Sequence, residues 1–386
     1  MQSGPAAAGQ RFTIERQDLD RLFEALRAAG YTVMGPVARD GAIHWDEVST
    51  TAELPAGWSD EQEAGRYRLT RTEGPALFDW TVGPGSPKAL FHPATFALLS
   101  ARREGRELQV LDGEPRPAKL AFFGVRACEL AAISVQDRVL LGGAVTDPVY
   151  GARRAGAFLI AVQCGRAGHT CFCASMGTGP GVRSGHDLAL TEVLEEGRHV
   201  FVAEAGSERG AAMLAGLGAR PATAAETGAA AAAVARAAAG MGRTLDTDGL
   251  PALLATSHEH LRWETVAARC LACGNCTSVC PTCFCVTIED FTDLGAGLTR
   301  RVRRWDSCFS VDFTYIHGGN VRSSIRARYR QWLTHKLGSW HEQFGSSGCV
   351  GCGRCITWCP AAIDITEEAR ALQQRRRGKE ASRANA

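Results

Sequence analysis

Eight of the fifteen cysteines fall into two copies of one pattern, C-x2-C-x2-C-x3-C-P. Cys270, Cys273, Cys276 and Cys280 stand before Pro281, and Cys349, Cys352, Cys355 and Cys359 before Pro360. This spacing is that of a cubane iron–sulfur cluster, and two copies make a two-cluster ferredoxin arrangement. Three thiolates two residues apart wrap a turn of backbone around three corners. The fourth is carried off by the helix that follows and ligates the other cluster, while the proline turns the chain out of the loop. The expected sets are therefore Cys270, Cys273, Cys276 with Cys359, and Cys349, Cys352, Cys355 with Cys280. Tetrahedral zinc also uses C-x2-C pairs, but as two separated pairs and not as runs of four ending in proline. The pattern selects an electron carrier.

The chain of 386 residues is too long for a small ferredoxin alone and implies two or three domains. Its 45% hydrophobic and 22% charged residues are those of a soluble globular protein, and a net charge of +2 points to neither nucleic acid nor a membrane surface. The start MQSGPAAAGQRF has no basic or apolar leader region, and no run approaches eighteen apolar residues. So many thiols predict a reducing cytoplasm.

Five segments are expected. Residues 1–115 read as an α+β region, opening with a helix on Leu19, Leu22, Phe23 and Leu26 that Gly30 caps. Residues 116–205 read as a small α/β unit: an apolar strand at Leu120–Val125, a helix through Leu140 and a second apolar strand at Phe158–Val162. The loop GTGPG at 177–181 lacks phosphate-loop spacing and reads as a plain loop. An Ala-rich helical or loosely constrained connector spans 206–260. A helical two-cluster ferredoxin domain spans 261–366, because Arg322, Arg326, Arg330, Tyr329 and Trp332 recur at helical spacing between the cysteine runs. A charged tail, 367–386, reads as a solvated helix fraying into disorder. The predicted fold class is an α+β or α/β N-terminal region with a C-terminal α-helical two-cluster ferredoxin-like domain.

Cys128 and Cys164 lie just past strand ends, where α/β sheets place ligands, and Cys171-Phe172-Cys173 follows in a loop. Four is the number a third cubane needs; buried structural thiols are the alternative. Cys283, Cys285 and Cys308 remain and read as packed thiols, with a three-cysteine cluster as the alternative. His169, near Cys171, is the one histidine placed to ligate or to donate to a sulfur. The basic stretches 300–305 and 322–330 read as charge that offsets the clusters or docks a partner.

The quoted motifs also resemble a known family. CLACGNCTSVCPTCFCVTIED, RRWDSCF, HGGNVR and CVGCGRCITWCP in the second half are similar to the β subunit of cytoplasmic NAD(P)-linked nickel–iron hydrogenases of the sulfhydrogenase type. GYTVMGPV, LPAGW, FFGVRACEL and the AVQC…TCFC stretch resemble its N-terminal region. A subunit of the anaerobic sulfite reductases shares the outline. The resemblance implies a non-catalytic electron-transfer subunit. It would stand between an NAD(P)H-oxidoreductase subunit that contains flavin and the small and large hydrogenase subunits. The alternative it implies is the same role in a sulfite or sulfur reductase. It matches all eight ferredoxin-type cysteines and also Cys128, Cys164, Cys171 and Cys173, so it implies a third cluster. Where the family has Cys-Asp, this chain has Cys128-Glu129. No nucleotide fingerprint appears, in keeping with flavin and nicotinamide binding on another subunit.

Overall fold

A computed structural model describes residues 10–384 apart from 112–117, 196 and 294, with side chains described to residue 374. The first nine residues, part of the stretch read for a leader, and the end of the charged tail lie outside the described residues.

In chain order the first elements are β1 (Arg11–Glu15), α1 (Asp20–Ala28), β2 (Thr32–Arg39), β3 (Ala42–Glu47), β4 (Trp58–Glu63) and β5 (Arg66–Arg71). There follow α2 (Lys88–Phe91), β6 (Thr95–Glu104), β7 (Glu107–Leu111), β8 (Leu120–Val125), α3 (Ala127–Leu140), α4 (Pro148–Ala155) and β9 (Phe158–Val162). Next come β10 (Leu188–Glu195), β11 (Arg198–Ala205), α5 (Glu208–Gly216), β12 (Arg220–Pro221), α6 (Ala224–Ala239), α7 (Leu250–Thr256), α8 (Arg262–Ala267) and α9 (Asn275–Ser278). The last are β13 (Val286–Asp293), β14 (Leu298–Trp305), β15 (Tyr315–Ile316), β16 (Gly319–Asn320), α10 (Ile325–Thr334), α11 (Trp340–Phe344), α12 (Arg354–Thr357) and α13 (Ile365–Ala384).

One eight-stranded sheet, ordered β12-β1-β11-β10-β9-β8-β2-β3, organises the N-terminal half. Its centre is parallel, β10 on β9 on β8 on β2, and its margins are antiparallel. The sequences of β8 (LAFFGV) and β9 (FLIAV) explain that position. They are continuous apolar runs, which suit strands covered on both faces, and Phe122, Phe123, Ile160 and Ala161 are fully buried. On one face α1 buries Leu22, Phe23 and Leu26 against Phe123 and Ile160; on the other α3 buries Leu130 and Ile133 against Phe122 and Leu159.

Three sequence expectations need correction. The boundary at 115/116 lies outside the described residues, but β2 and β8 on either side of it pair directly, so 1–115 and 116–205 share one sheet. The connector is neither loose nor separate. Thr223 and Glu226 cap α6 reciprocally, and its Ala229 and Ala230 pack on Val193, Val200 and Val202 of β10 and β11. The region 261–366 is not helical throughout. The hairpin β13–β14 continues into β6 and β7, giving the sheet β13-β14-β6-β7 and tying residues 95–111 to the segment between the cysteine runs. The ferredoxin region also has a substantial core, with Trp263, Phe309, Tyr329, Trp332, Leu333, Ile356 and Ile365 packed together.

His92, at the C-terminus of α2, is buried beside Trp305 with neither ring nitrogen hydrogen-bonded. Burial and the nearby Arg303 charge hold its pKa down at about 4, from an ordinary 6.5, against the opposing pull of Asp147. As pH falls from 6.5 toward 4 the unfolded chain takes up a proton that the folded chain refuses, so stability is lost. Urea midpoints should reveal a loss of roughly 2 kcal/mol at pH 5 relative to pH 7.5 that His92→Phe removes. Equal pH slopes in the two proteins would contradict this.

Candidate metal centres

The two cysteine runs fold into matching loops. In each, the backbone N–H two residues after the first cysteine points at its sulfur: Ala272 to Cys270 and Gly351 to Cys349, both at 3.4 Å. Both residues are left-handed (φ 50° and 64°), as are Gly274 and Gly353 after the second cysteine (φ 73° and 77°). Left-handed turns curl successive N–H groups and sulfurs inward; Ala272 adopts its turn at a cost that glycine escapes.

The gathering crosses between the runs. Cys270, Cys273 and Cys276 line one cavity with Cys359 of the other run, under Phe309, Tyr329, Trp332 and Ile363. Cys280 in turn acts electrostatically on Cys349, Cys352 and Cys355. Cys355 lies between the two groups, since it also lines the first cavity and feels Cys276.

The parallel strands deliver the third group. β8 ends at Val125, Arg126 caps α3, and Cys128 sits in its first turn; Cys164 follows the end of β9 by two residues. The loop carrying Cys171 and Cys173 is pinned to the second cysteine run: Phe172 N–H donates to Gly351 O at 2.8 Å, and the Thr170 and Thr357 hydroxyls meet at 2.8 Å. Gln62 of β4 accepts from both threonines. Contact is so close that a Cβ on Gly351 would lie 2.7 Å from Cys173 Cα, and one on Gly353 2.4 Å from Thr170 O. Cys164, Cys171 and Cys352 act on Cys173, while Cys173 and Cys352 act on Cys128, so Cys352 borders both the second and the third group.

As free thiols these groups resist ionising. Burial and neighbouring sulfurs push Cys128, Cys276 and Cys355 well above the thiol range, and burial lifts Cys171 and Cys349 to about 12. Four buried thiolates side by side need a cationic core between them, which iron supplies. Among the described residues no three His, Cys, Asp or Glu side chains form a single-ion site. The donor set, four thiols to a group, fits cubanes.

Buried cations accompany each group; Arg328 lies in the basic stretch 322–330 already read as cluster-offsetting or docking charge, and sequence reasoning missed the others. Lys336 reaches Cys280 Sγ at 3.2 Å and Thr282 Oγ1 at 3.1 Å. The Cys283 thiol, Lys336 and Thr282 together hold Cys280 well below the ordinary thiol range despite its burial. Arg354 lies against Cys352 and pairs with Glu129 at 2.5 Å. Arg126 favours the Cys164 thiolate and donates to the carbonyls of Phe78 and Trp80. Buried Arg328 favours that of Cys270. Arg126 and Arg354 had a legible signal, since they sit within two residues of a motif cysteine. Lys336 had none; it is brought inward by a π-turn, His335–Ser339, between α10 and α11. Replacing Lys336 by Met should lower the midpoint potential of the centre that includes Cys280, since a buried positive charge next to its sulfur is lost. Unchanged potentials in a redox titration followed by electron paramagnetic resonance would refute this role.

Other expected residues lie elsewhere. His169 is exposed and bonded to Glu63 at 2.8 Å. The basic stretch 300–305 forms β14, where Arg301 pairs with Asp290, Arg304 with Glu289, and Arg303 with Asp147, so its charge is largely matched. Arg326 of α10 pairs with Glu259 and Glu264. The sulfur of the first group nearest to solvent is that of exposed Cys273, beside Leu271, which is 65% exposed.

Residues 269–363 match the model of the 4Fe–4S dicluster domain family, so the chain is an iron–sulfur electron-transfer protein. Over 354 residues it is 30% identical to sulfhydrogenase 2 subunit beta of Pyrococcus furiosus, covering 89% of this chain and 92% of that relative. The chain belongs to the sulfhydrogenase β-subunit family. No solved structure matches it. No helix among the described residues is long and apolar enough to cross a membrane.

Proposed function

We propose that the chain is a cytoplasmic relay holding three 4Fe–4S clusters. Its partners are a flavin-containing NAD(P)H-oxidoreductase subunit on one side and the small and large subunits of a nickel–iron hydrogenase on the other. Cys270, Cys273, Cys276 and Cys359 hold the first cluster, Cys280, Cys349, Cys352 and Cys355 the second, and Cys128, Cys164, Cys171 and Cys173 the third. The observation carrying this reading is the continuous row of thiols, in which Cys355 borders the first two groups and Cys352 the last two. The relative's name, a sulfhydrogenase subunit, supports the choice of partners. Fifteen cysteines without a disulfide support a reducing compartment.

When bound, the clusters store and pass single electrons. The chain's own residues do the rest. Tyr329, Trp332 and Phe309 close the first site to water, the left-handed turns aim N–H groups at sulfur, and Arg126, Arg328, Lys336 and Arg354 balance the negative charge.

Crossed ligation is tested by substitution. Cys280→Ala should perturb the spectrum of the centre that Cys349→Ala also perturbs, and Cys359→Ala that of the centre sensitive to Cys270→Ala. If Cys280→Ala instead pairs with Cys270→Ala, each run holds its own cluster. Co-expression with the partner subunits, scored by co-purification and by electron flow from hydrogen to NAD(P), tests the assignment of partners.

A further inference from the structure

Three cysteines lie outside the three ligand sets, although Cys283 touches Cys280 and Cys308 acts on Cys276, and the structure does not bury them as inert packing. Cys283 and Cys285 line a cavity together with Lys88, Thr277, Trp305, Asp306, Ser307 and Ser310. Cys308 adjoins it: its backbone N–H points at the Cys285 sulfur, and the two sulfurs act on one another. Asp306 N–H donates to Cys285 O at 2.9 Å, so the WDSCF turn is clamped onto the C-x-C turn. The pattern repeats that of the third group, where a C-x-C pair meets cysteines from elsewhere in the chain.

We infer that Cys283, Cys285 and Cys308 hold a fourth iron–sulfur cluster, with one iron left without a cysteine ligand and turned toward this cavity. The argument is one of charge. Lys88 is only 5% exposed; its ammonium lies 3.7 Å over the Trp305 ring and makes one long contact, 3.4 Å, with Ser278 O. Lys336 is buried too and reaches Cys283 Sγ at 3.5 Å. Among the described residues no carboxylate forms an ion pair with either lysine. Lys336 already faces the Cys280 sulfur of the second group, so the ammonium still lacking a negative partner is that of Lys88, and a buried charge of this kind needs one beside it. Neutral thiols supply none. Iron binding would deprotonate the thiols and leave an anionic cluster beside Lys88 and Lys336. Lys88 then faces the open corner, where a small anion or water completes the iron, and Asp306, Ser307 and Ser310 line the approach.

The test uses the full chain purified anaerobically. Cys308→Ala, the change furthest along the chain from the other groups, should lower iron by about four per chain, the content of one cubane, and leave the signals of the other clusters in place. Cys285→Ala should do the same. A cubane with an open corner is also prone to lose that iron. On mild ferricyanide treatment a 4Fe–4S core of charge 2+ gives up one electron to the oxidant and releases Fe(II), leaving 3Fe–4S of charge 1+. The paramagnetic signal of that species should appear in the wild type and be missing from Cys308→Ala. Iron equal to wild type in both alanine variants, with folding intact by circular dichroism, would overturn the inference and leave three packed thiols. The iron lost on changing Cys171 and Cys173 is scored separately, so failure of the three-cluster relay and failure of the fourth site are told apart.

Discussion

Replacing Cys171 and Cys173 together by Ser is expected to remove about four irons per chain while the two ferredoxin-type clusters persist, because one cubane carries four. The structural ground is that these two sulfurs, with Cys128 and Cys164, form a group of their own bordered by Cys352. The same change should leave the fold largely intact, since it keeps Phe172 in the core of the ferredoxin region and does not touch Phe122, Phe123 and Ile160 in the cores of the sheet. Iron analysis and absorption in the visible settle it. Iron unchanged from the wild type would remove the third cluster from the relay. Electron passage through an assembled complex should then be compared: a variant that binds its partners normally but no longer passes electrons would place the third centre on the path.

The largest expected effect on stability is at Glu129. Its carboxylate meets Arg354 at 2.5 Å and caps the Arg126 N–H at 3.0 Å, with Glu129 and Arg354 only 2% and 1% exposed. Arg354 also donates to Gly83 O and Gly85 O at 2.8 and 3.0 Å. The pair joins α3 of the large sheet to α12 of the second cysteine run. Glu129→Ala strands a guanidinium in the interior, a loss of about 3–5 kcal/mol. A double variant, Glu129→Ala with Arg354→Met, should recover part of it, since no unpaired charge then remains. Urea denaturation under anaerobic conditions measures both. A single-variant loss below about 1 kcal/mol would mean that water or Cys352 already compensates the arginine.

The 4Fe–4S dicluster domain was readable because the spacing within each cysteine run is local: steps of two and three residues are forced by the loop that wraps a cubane. The strands β8 and β9 were readable for a similar reason, as unbroken apolar runs have few other uses at that length. What could not be read depends on partners distant in the chain. β14 looked like a basic stretch because its arginines are visible and their acceptors, Asp147, Glu289 and Asp290, are not obviously opposite them. Its pairing with β6 closes a span of nearly two hundred residues, and no periodicity in either segment announces it. The same applies to Lys336, whose inward direction comes from a local change of helix type. Glu129 illustrates the reverse error. In the sequence it reads as a minor departure from a family Asp, and in the fold it is one end of a buried link between the two halves.

Phe172 N–H bonded to Gly351 O, and the Thr170–Thr357–Gln62 knot beside it, mean that the wall of one metal centre is the backbone of the next. On the proposed relay, neighbouring centres joined in this way do not drift apart by domain motion, and among the described residues this contact leaves no room for a gate between them. Traffic along the row is then a fixed conductance, set once at folding. Any control over when electrons flow has to be exercised at its two ends, by which proteins are docked there and how well they are supplied.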